Sequence, residues 1–184
     1  RVLFRSGDGA AAAILSTKHE GPVRFLASQL STDALSITDR PSITSFPATK
    51  DAVQRAWEEA EVTAEDISCL EHHDCFSIAE LIATESMFLC DRGKFKEQMA
   101  ENRAFYLDGE MPVNISGGLK SFGHPIGASG CRETWEMYKQ LQGKAEVPER
   151  QKKNWKTDQR FCIAHNQGGS PAKFACNITI IGLP

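Results

Sequence analysis

"VNISGGLKSFGHPIGASG" (113–130) starts as a short strand, breaks into glycine-rich turns and runs into "CRETWEMYKQLQG" (131–143). Ala128, Cys131, Trp135, Tyr138 and Leu141 recur there at helical spacing. That predicts a helix with these residues on its apolar face, stopped by Gly143. A strand that turns through glycines into a helix is the repeating unit of layered α/β folds, whose sites gather where strands end and helices begin. Inside the turns, His124 stands between Gly123 and Pro125. Glycine permits close backbone approach and proline fixes the turn, so the imidazole is either a rigid acid/base group or a turn histidine bonded to backbone. A phosphate-loop reading is weak, because there is no G-K-[ST] ending and no acidic magnesium ligand nearby.

Upstream, "GPVRFLASQL" (21–30) alternates Val23, Phe25 and Ala27 as a strand does. "AAAAILST" (10–17) reads as a buried strand, although its alanines also suit a helix. "SITDRPSITSFP" is a loop broken by two prolines. Thr49 is a candidate cap for a helix whose face carries Val53, Ala56, Trp57 and Ala60. "TAED" (63–66) has the form of a capped turn, and a short strand over roughly 67–71 follows it. "CFSIAELIATESMFLC" (75–90) is apolar nearly all round, which predicts a helix buried on most sides. "RFCIAH" and "KFACNITII" form a closing pair of strands around "NQGGSP". The sum is an α/β layered fold, βαβαβαββ, with a mixed sheet packed by helices.

The chain has 184 residues, enough for one domain with its own core. A net charge of −3 argues against a general nucleic-acid binder, which needs a basic stripe. No apolar run approaches the ~20 residues that span a bilayer. Six cysteines, none in a C-x-x-C pair, predict free thiols in a reducing compartment. The chain starts with Arg, which suggests that it begins in mid-protein. An intracellular location is expected, with the organelle open; the C-terminus IIGLP is not a peroxisomal signal.

Three places concentrate reactive groups, each at a predicted strand end: "HHDC" (72–75), "GHP" (123–125) and "HNQGG" (165–169). Cys75 is expected in the first turn of the long helix, where the dipole favours thiolate; its plainer reading is a buried small hydrophobe. Zinc is a rival use for His72, His73, Asp74 and Cys75. Adjacent strand residues point to opposite faces and cannot all reach one ion, so no metal is expected.

Taken in order, these motifs resemble the C-terminal half of thiolases, from about residue 7 to 181. "NISGGLKSFGHPIGASG" is similar to the thiolase G-G…G-H-P-x-G-x-[ST]-G segment. "HDCF" (73–76) and "HNQGG" are similar to the sterol-carrier-protein-2 type. The resemblance implies an acyl-CoA C-acyltransferase, with coenzyme A as substrate and no metal or organic cofactor. It implies Cys75 as the acid/base thiol. His73 holds the thioester oxygen, and His124 activates the nucleophile and shares that oxyanion hole. Gly123 lines the site. Asn166 stands where other thiolases carry a cysteine, and the Gly168 N–H serves a second hole. His72 is expected to face the other way, and Asp74 to cap the helix. The resemblance also implies that residues 1–20 are a remnant of the first thiolase half and 21–184 the C-terminal domain. The nucleophilic cysteine then lies in the absent half, the chain alone is inactive, and the full-length protein is a homodimer or tetramer. Pro171 and Lys173 depart from the family's glycine-alanine entry into the last strand, which puts the second hole in question. The alternative is a thiolase-like protein that binds acyl-CoA, lipid or a partner chain without turnover.

Overall fold

Four strands form one mixed sheet: β1 (Arg24–Thr32), β2 (Ile67–His72), β3 (Phe161–Gly168) and β4 (Ala175–Gly182). Their spatial order is β1-β4-β3-β2; β4 runs antiparallel to both neighbours, and β2 is parallel to β3. This computed structural model describes residues 6–34, 36–101, 106–156, 158, 160–169 and 174–184. Helices α1 (Pro47–Ala60), α2 (Ser77–Ser86), α3 (Phe95–Glu101), α4 (Gly118–Phe122) and α5 (Ser129–Leu141), with three short 3-10 turns at Ile37–Asp39, Ala64–Asp66 and Pro148–Arg150, complete the described elements.

Strand alternation builds two cores. Leu70, Ile163, Ile178 and Ile180 pack with α1 and α2, through Val53, Ala56 and Ile82 among others. Cys69, Cys162 and Ile181 lie on the opposite face with Met137 and Leu141 of α5. The inner strands β3 and β4 are therefore largely buried, while β1 at the sheet edge stays mostly exposed. All six cysteines are free.

The strand expected at residue 113 shrinks to a single parallel bridge between Val113 and Leu70. Leu70 donates to Pro112 O at 3.1 Å, and Asn114 N–H donates back to Leu70 O at 2.8 Å. Asn114 then takes a left-handed backbone, φ 52°, and the chain turns away. This contact covers the outer edge of β2, all six of whose residues are buried.

Several local expectations change. Residues 10–17 form neither strand nor helix; they are exposed and contribute Ile14 and Leu15 to the surface. A strand needs a neighbour to take its backbone bonds, and none of the described elements pairs there. Phe46, followed by Pro47, occupies the N-cap of α1. Thr49 sits inside the helix, where its hydroxyl meets His165 Nε2 at 3.2 Å and Cys176 Sγ at 3.4 Å. The Thr63–Asp66 capping box forms as expected. Helix α2 is shorter than its apolar run and leaves Phe76 and Ile78 exposed, because its neighbours cover one side only. Helix α5 is turned from its expected face. It buries Glu133, Glu136, Met137, Gln140 and Leu141, while Tyr138 is exposed and Cys131 and Trp135 lie at the margin.

Candidate active site

Pairing of β2 with β3 sets His72 beside His165, and the ladder continues as His73 N–H donates to His165 O at 2.9 Å. Alternation then separates the two histidines. The His72 and His165 rings lie 5.8 Å apart in the core on the α1 side, where His165 meets Thr49. His73 takes the other side with Asn166, whose Nδ2 is 3.4 Å from His73 Nδ1. His72 therefore faces away from the site, as expected.

The glycine-rich turn is pinned to the end of β2 by two carboxylates. Glu71, fully buried, accepts from Ser116 N–H at 2.8 Å and Ser116 Oγ at 2.6 Å. Asp74 accepts from Leu119 N–H at 2.7 Å, so it ties β2 to α4 and does not cap α2, where it was expected. The approach is close enough to require glycine. Gly118 has φ 64°, and a Cβ there would lie 2.4 Å from Asp74 Oδ2. Burial outweighs the Ser116 bonds and raises the Glu71 carboxyl to about 7. Burial also raises Asp74, against the Leu119 bond.

Held by this turn, His124 comes up against His73. The two rings meet edge to face, with centroids 4.7 Å apart, and both residues are buried. They belong to separate segments of the chain. His124 Nδ1 contacts Ser129 Oγ at 2.8 Å, which fixes the ring to the start of α5. Burial lowers His73 to about 4, and the neighbouring His124 adds to the shift. Burial likewise lowers His124, with Asp74 opposing. Both rings are neutral near pH 7, so each can donate one N–H to an oxygen or accept one proton. The segment at Ser6–Gly9 runs past this turn. Ser6 bridges to His124, and a Cβ on Gly9 would lie 2.8 Å from Pro125 Cγ.

Cys75 lies one residue before the α2 N-cap, Phe76, not in the first turn of the helix. The thiol is half-buried, and burial raises it above its ordinary value, so it is held as a neutral thiol and not the expected dipole-stabilised thiolate. Gly123 has φ 84° and its N–H caps α4 by donating to Leu119 O. What Gly123 gives the site is its backbone shape; its N–H is committed. Gly168 ends β3, two residues beyond Asn166 and exposed. Pro171 and Lys173 lie outside the described residues. Among the described residues, no group of three or more His, Cys, Asp or Glu side chains is arranged to hold a metal ion. No described helix is long and apolar enough to cross a membrane.

A model of the thiolase C-terminal domain-like family matches residues 30–180. The chain belongs to this family. An acetyl-CoA acetyltransferase of Methanothermobacter thermautotrophicus is 35% identical over 181 residues, covering 93% of this chain and 44% of the relative. A second, from Methanocaldococcus jannaschii, is 36% identical, covering 78% and 39%. Human sterol carrier protein 2 is 36% identical over 151 residues, covering 76% and 27%. The chain thus spans less than half the length of these relatives. The solved structure of an Ltp2-ChsH2(DUF35) aldolase shares the fold, with a TM-score of 0.70 at 17% identity over 88% of this chain and 39% of that one.

Within this thiolase domain the sequence motifs located His73, His124 and Asn166, but not the polar groups that hold them. Glu133 is buried, and its Oε2 lies 3.3 Å from Asn166 Nδ2. Ser129 stands at the [ST] position of the glycine-rich motif, while Glu71 belongs to no motif. The available signal was the spacing of Glu133, Glu136 and Gln140, which lie with Met137 and Leu141 on one helical stripe.

Proposed function

We propose that this domain is the second half of an acyl-CoA C-acyltransferase that cleaves or forms 3-ketoacyl-CoA thioesters, and that it works with a first thiolase half carrying the nucleophilic cysteine. The observation that carries this reading is the edge-to-face contact of His73 with His124, two neutral rings brought together from the HDCF and GHP segments. Two N–H donors converging on one oxygen are what a thioester enolate requires.

In the cleavage direction, His124 takes the proton of the nucleophilic cysteine. The thiolate attacks the 3-keto carbon, and the C2–C3 bond breaks, with its electron pair passing to C2 and the thioester oxygen. His73 and protonated His124 donate to that oxygen. The Cys75 thiol gives its proton to C2, which releases acetyl-CoA. Cys75 then takes the proton of an incoming CoA thiol, whose sulfur displaces the cysteine from the acyl group, and His124 returns its proton to the departing cysteine thiolate. Beyond the 3-ketoacyl-CoA, the cycle needs only coenzyme A, which is itself a substrate. The raised proton affinity of Cys75 favours the step in which the thiol must arrive protonated.

The test is acetoacetyl-CoA thiolysis, followed as loss of ketoacyl absorbance. The 184-residue chain alone is expected to be inactive, and joining it to a first thiolase half should restore turnover. His73→Ala in the joined enzyme should lower kcat by about 10²-fold, the usual loss for one oxyanion donor. Turnover by the chain alone that Cys75→Ser abolishes would make Cys75 the nucleophile and overturn the scheme. Acyl-CoA binding without turnover in the joined protein would establish a binding role instead.

A further inference from the structure

We propose that Asp51, Arg55 and Glu59 of α1 form a guard that closes the free edge of β1 to strand pairing, and that without it a second copy of this chain adds there, β1 against β1. The guard is separate from the acyl-transfer reading and does not depend on it.

β1 stands at one end of the sheet, with β4 on its inner side. An edge strand offers its outward N–H and C=O groups to any other strand, and proteins blunt such edges with proline, lysine or inward-pointing charge. β1 reads RFLASQLST and has none of these; its one charge is Arg24, at the first position. Phe25 is 42% exposed and Leu30 62%, so the strand also carries apolar surface. Antiparallel pairing of two β1 strands uses the same edge of both copies and closes as a symmetric dimer.

Side chains of α1 already occupy that edge. Asp51, Arg55 and Glu59 are spaced four residues apart, which sets them in one stripe along the helix. Arg55 Nη2 donates to Leu30 O at 2.7 Å, and Ser28 N–H donates to Glu59 Oε2 at 3.2 Å. Residues 28 and 30 are two apart, so their backbone groups face one side, away from β4, and are the groups a neighbouring strand would use. Gln29 ties the stripe together. Arg55 Nη1 donates to Gln29 Oε1 at 2.8 Å, and Gln29 Nε2 donates to Glu59 Oε2 at 2.7 Å. Arginine can only donate, so Arg55 by itself fixes which way this amide faces. Asp51 Oδ2 accepts from Arg55 Nη2 at 2.9 Å and takes a hydrogen bond from the Ser31 hydroxyl, which extends the stripe along the strand. A strand that docks here must displace two charged side chains from bonds they already make.

Amide exchange and sedimentation of the 184-residue chain test the guard. In the wild type the Ser28 amide, bonded to Glu59, should exchange more slowly than the Leu30 amide on the same edge, and Glu59→Ala should remove the difference. Arg55→Ala with Glu59→Ala should tighten self-association by about tenfold or more. Arg55→Lys with Glu59→Gln, which keeps a donor and an acceptor, should stay near the wild type. Adding Leu30→Pro to the alanine pair removes an outward N–H that β4 does not use, and should return association to the wild-type level. Leu30→Lys, which sets a charge on the same edge, should do the same. Equal exchange at Ser28 and Leu30 in the wild type overturns the proposal. So does unchanged association of the alanine pair, and so does a tightening that survives Leu30→Lys, which would place the contact on another surface.

Discussion

Glu71→Gln isolates the cost of a buried carboxylate beneath the active-site turn. The substitution keeps the shape, and the new side chain can still accept from Ser116 N–H while its NH₂ donates to Ser116 Oγ. What it removes is ionisation. In the folded protein Glu71 titrates at about 7, against an ordinary value of 4.5, because burial outweighs its two bonds to Ser116. A carboxyl whose folded value is raised lends stability that is complete below pH 4.5 and is lost as pH rises through 7. At about 1.4 kcal/mol per tenfold change in proton affinity, the whole gap is worth about 3 kcal/mol. The stability of Glu71→Gln relative to wild type should therefore rise by about that amount between pH 4.5 and pH 8.5. Urea unfolding across this range, followed by circular dichroism, measures the difference directly. A wild-type and variant pair whose curves run parallel, within about 0.5 kcal/mol, would mean that Glu71 ionises as it does in water and that the burial argument is wrong.

Three further outcomes are open to the same kind of measurement. His72 has both ring nitrogens buried without a partner among the described residues, and burial lowers it to about 3, so its stabilising neutrality is lost as pH falls from 6.5 toward 3. His72→Leu should accordingly gain about 2 kcal/mol on wild type between pH 7 and pH 5, read by urea midpoints; no gain at pH 5 would contradict it. Gly118→Ala forces a Cβ onto Asp74 at a left-handed backbone position and should cost about 1–3 kcal/mol, with loss of protection at the Leu119 amide. Amides of residues 10–17 should exchange at nearly the rate of unfolded peptide in the isolated chain and become protected when a first thiolase half is present; protection in the isolated chain would reveal another packing.

Much of the architecture was legible because its signals are local. β1, α1 and β2 follow from alternation, helical spacing and a capped turn, and the β3–β4 pair from two apolar runs around a glycine-rich loop. Failures came where a neighbour decides the outcome. "AAAAILST" has strand composition, but its backbone has no described partner, so it stays irregular and exposed. Apolar periodicity put Ala128 and Leu141 inside, as they are, but missed the inward stripe of Glu133, Glu136 and Gln140, of which Glu133 meets Asn166 and Gln140 bonds Glu136 and the loop at Arg150 and Lys152. The apolar run puts Cys75 inside α2, but the helix begins two residues later at Ser77, since an apolar run does not mark its own N-cap. The motifs showed which residues carry chemistry. They could not show that Asn166 would meet His73, a contact between residues 93 apart that exists only through the register of β2 on β3.

That register contains one irregular step, and the choice of histidine depends on it. Ile67 pairs with Phe161, but Cys69 pairs with Cys162, so β2 spends one more residue than β3 between the two pairs. Without the step, a regular ladder from Ile67 would set His72 opposite Asn166, since neighbouring residues in a parallel pair share a face. His72 would then reach the site and His73 would fall on the other face. With the step, His72 pairs with His165 in the core toward α1, and His73 reaches Asn166 and His124. The step also leaves Ser68, the extra residue, buried with its hydroxyl unpartnered among the described residues. A buried hydroxyl without a partner carries a desolvation cost of about 1–3 kcal/mol. The cost falls on a strand whose remaining pairs are regular, and it goes with the register that sets the second histidine of "HHDC" against His124.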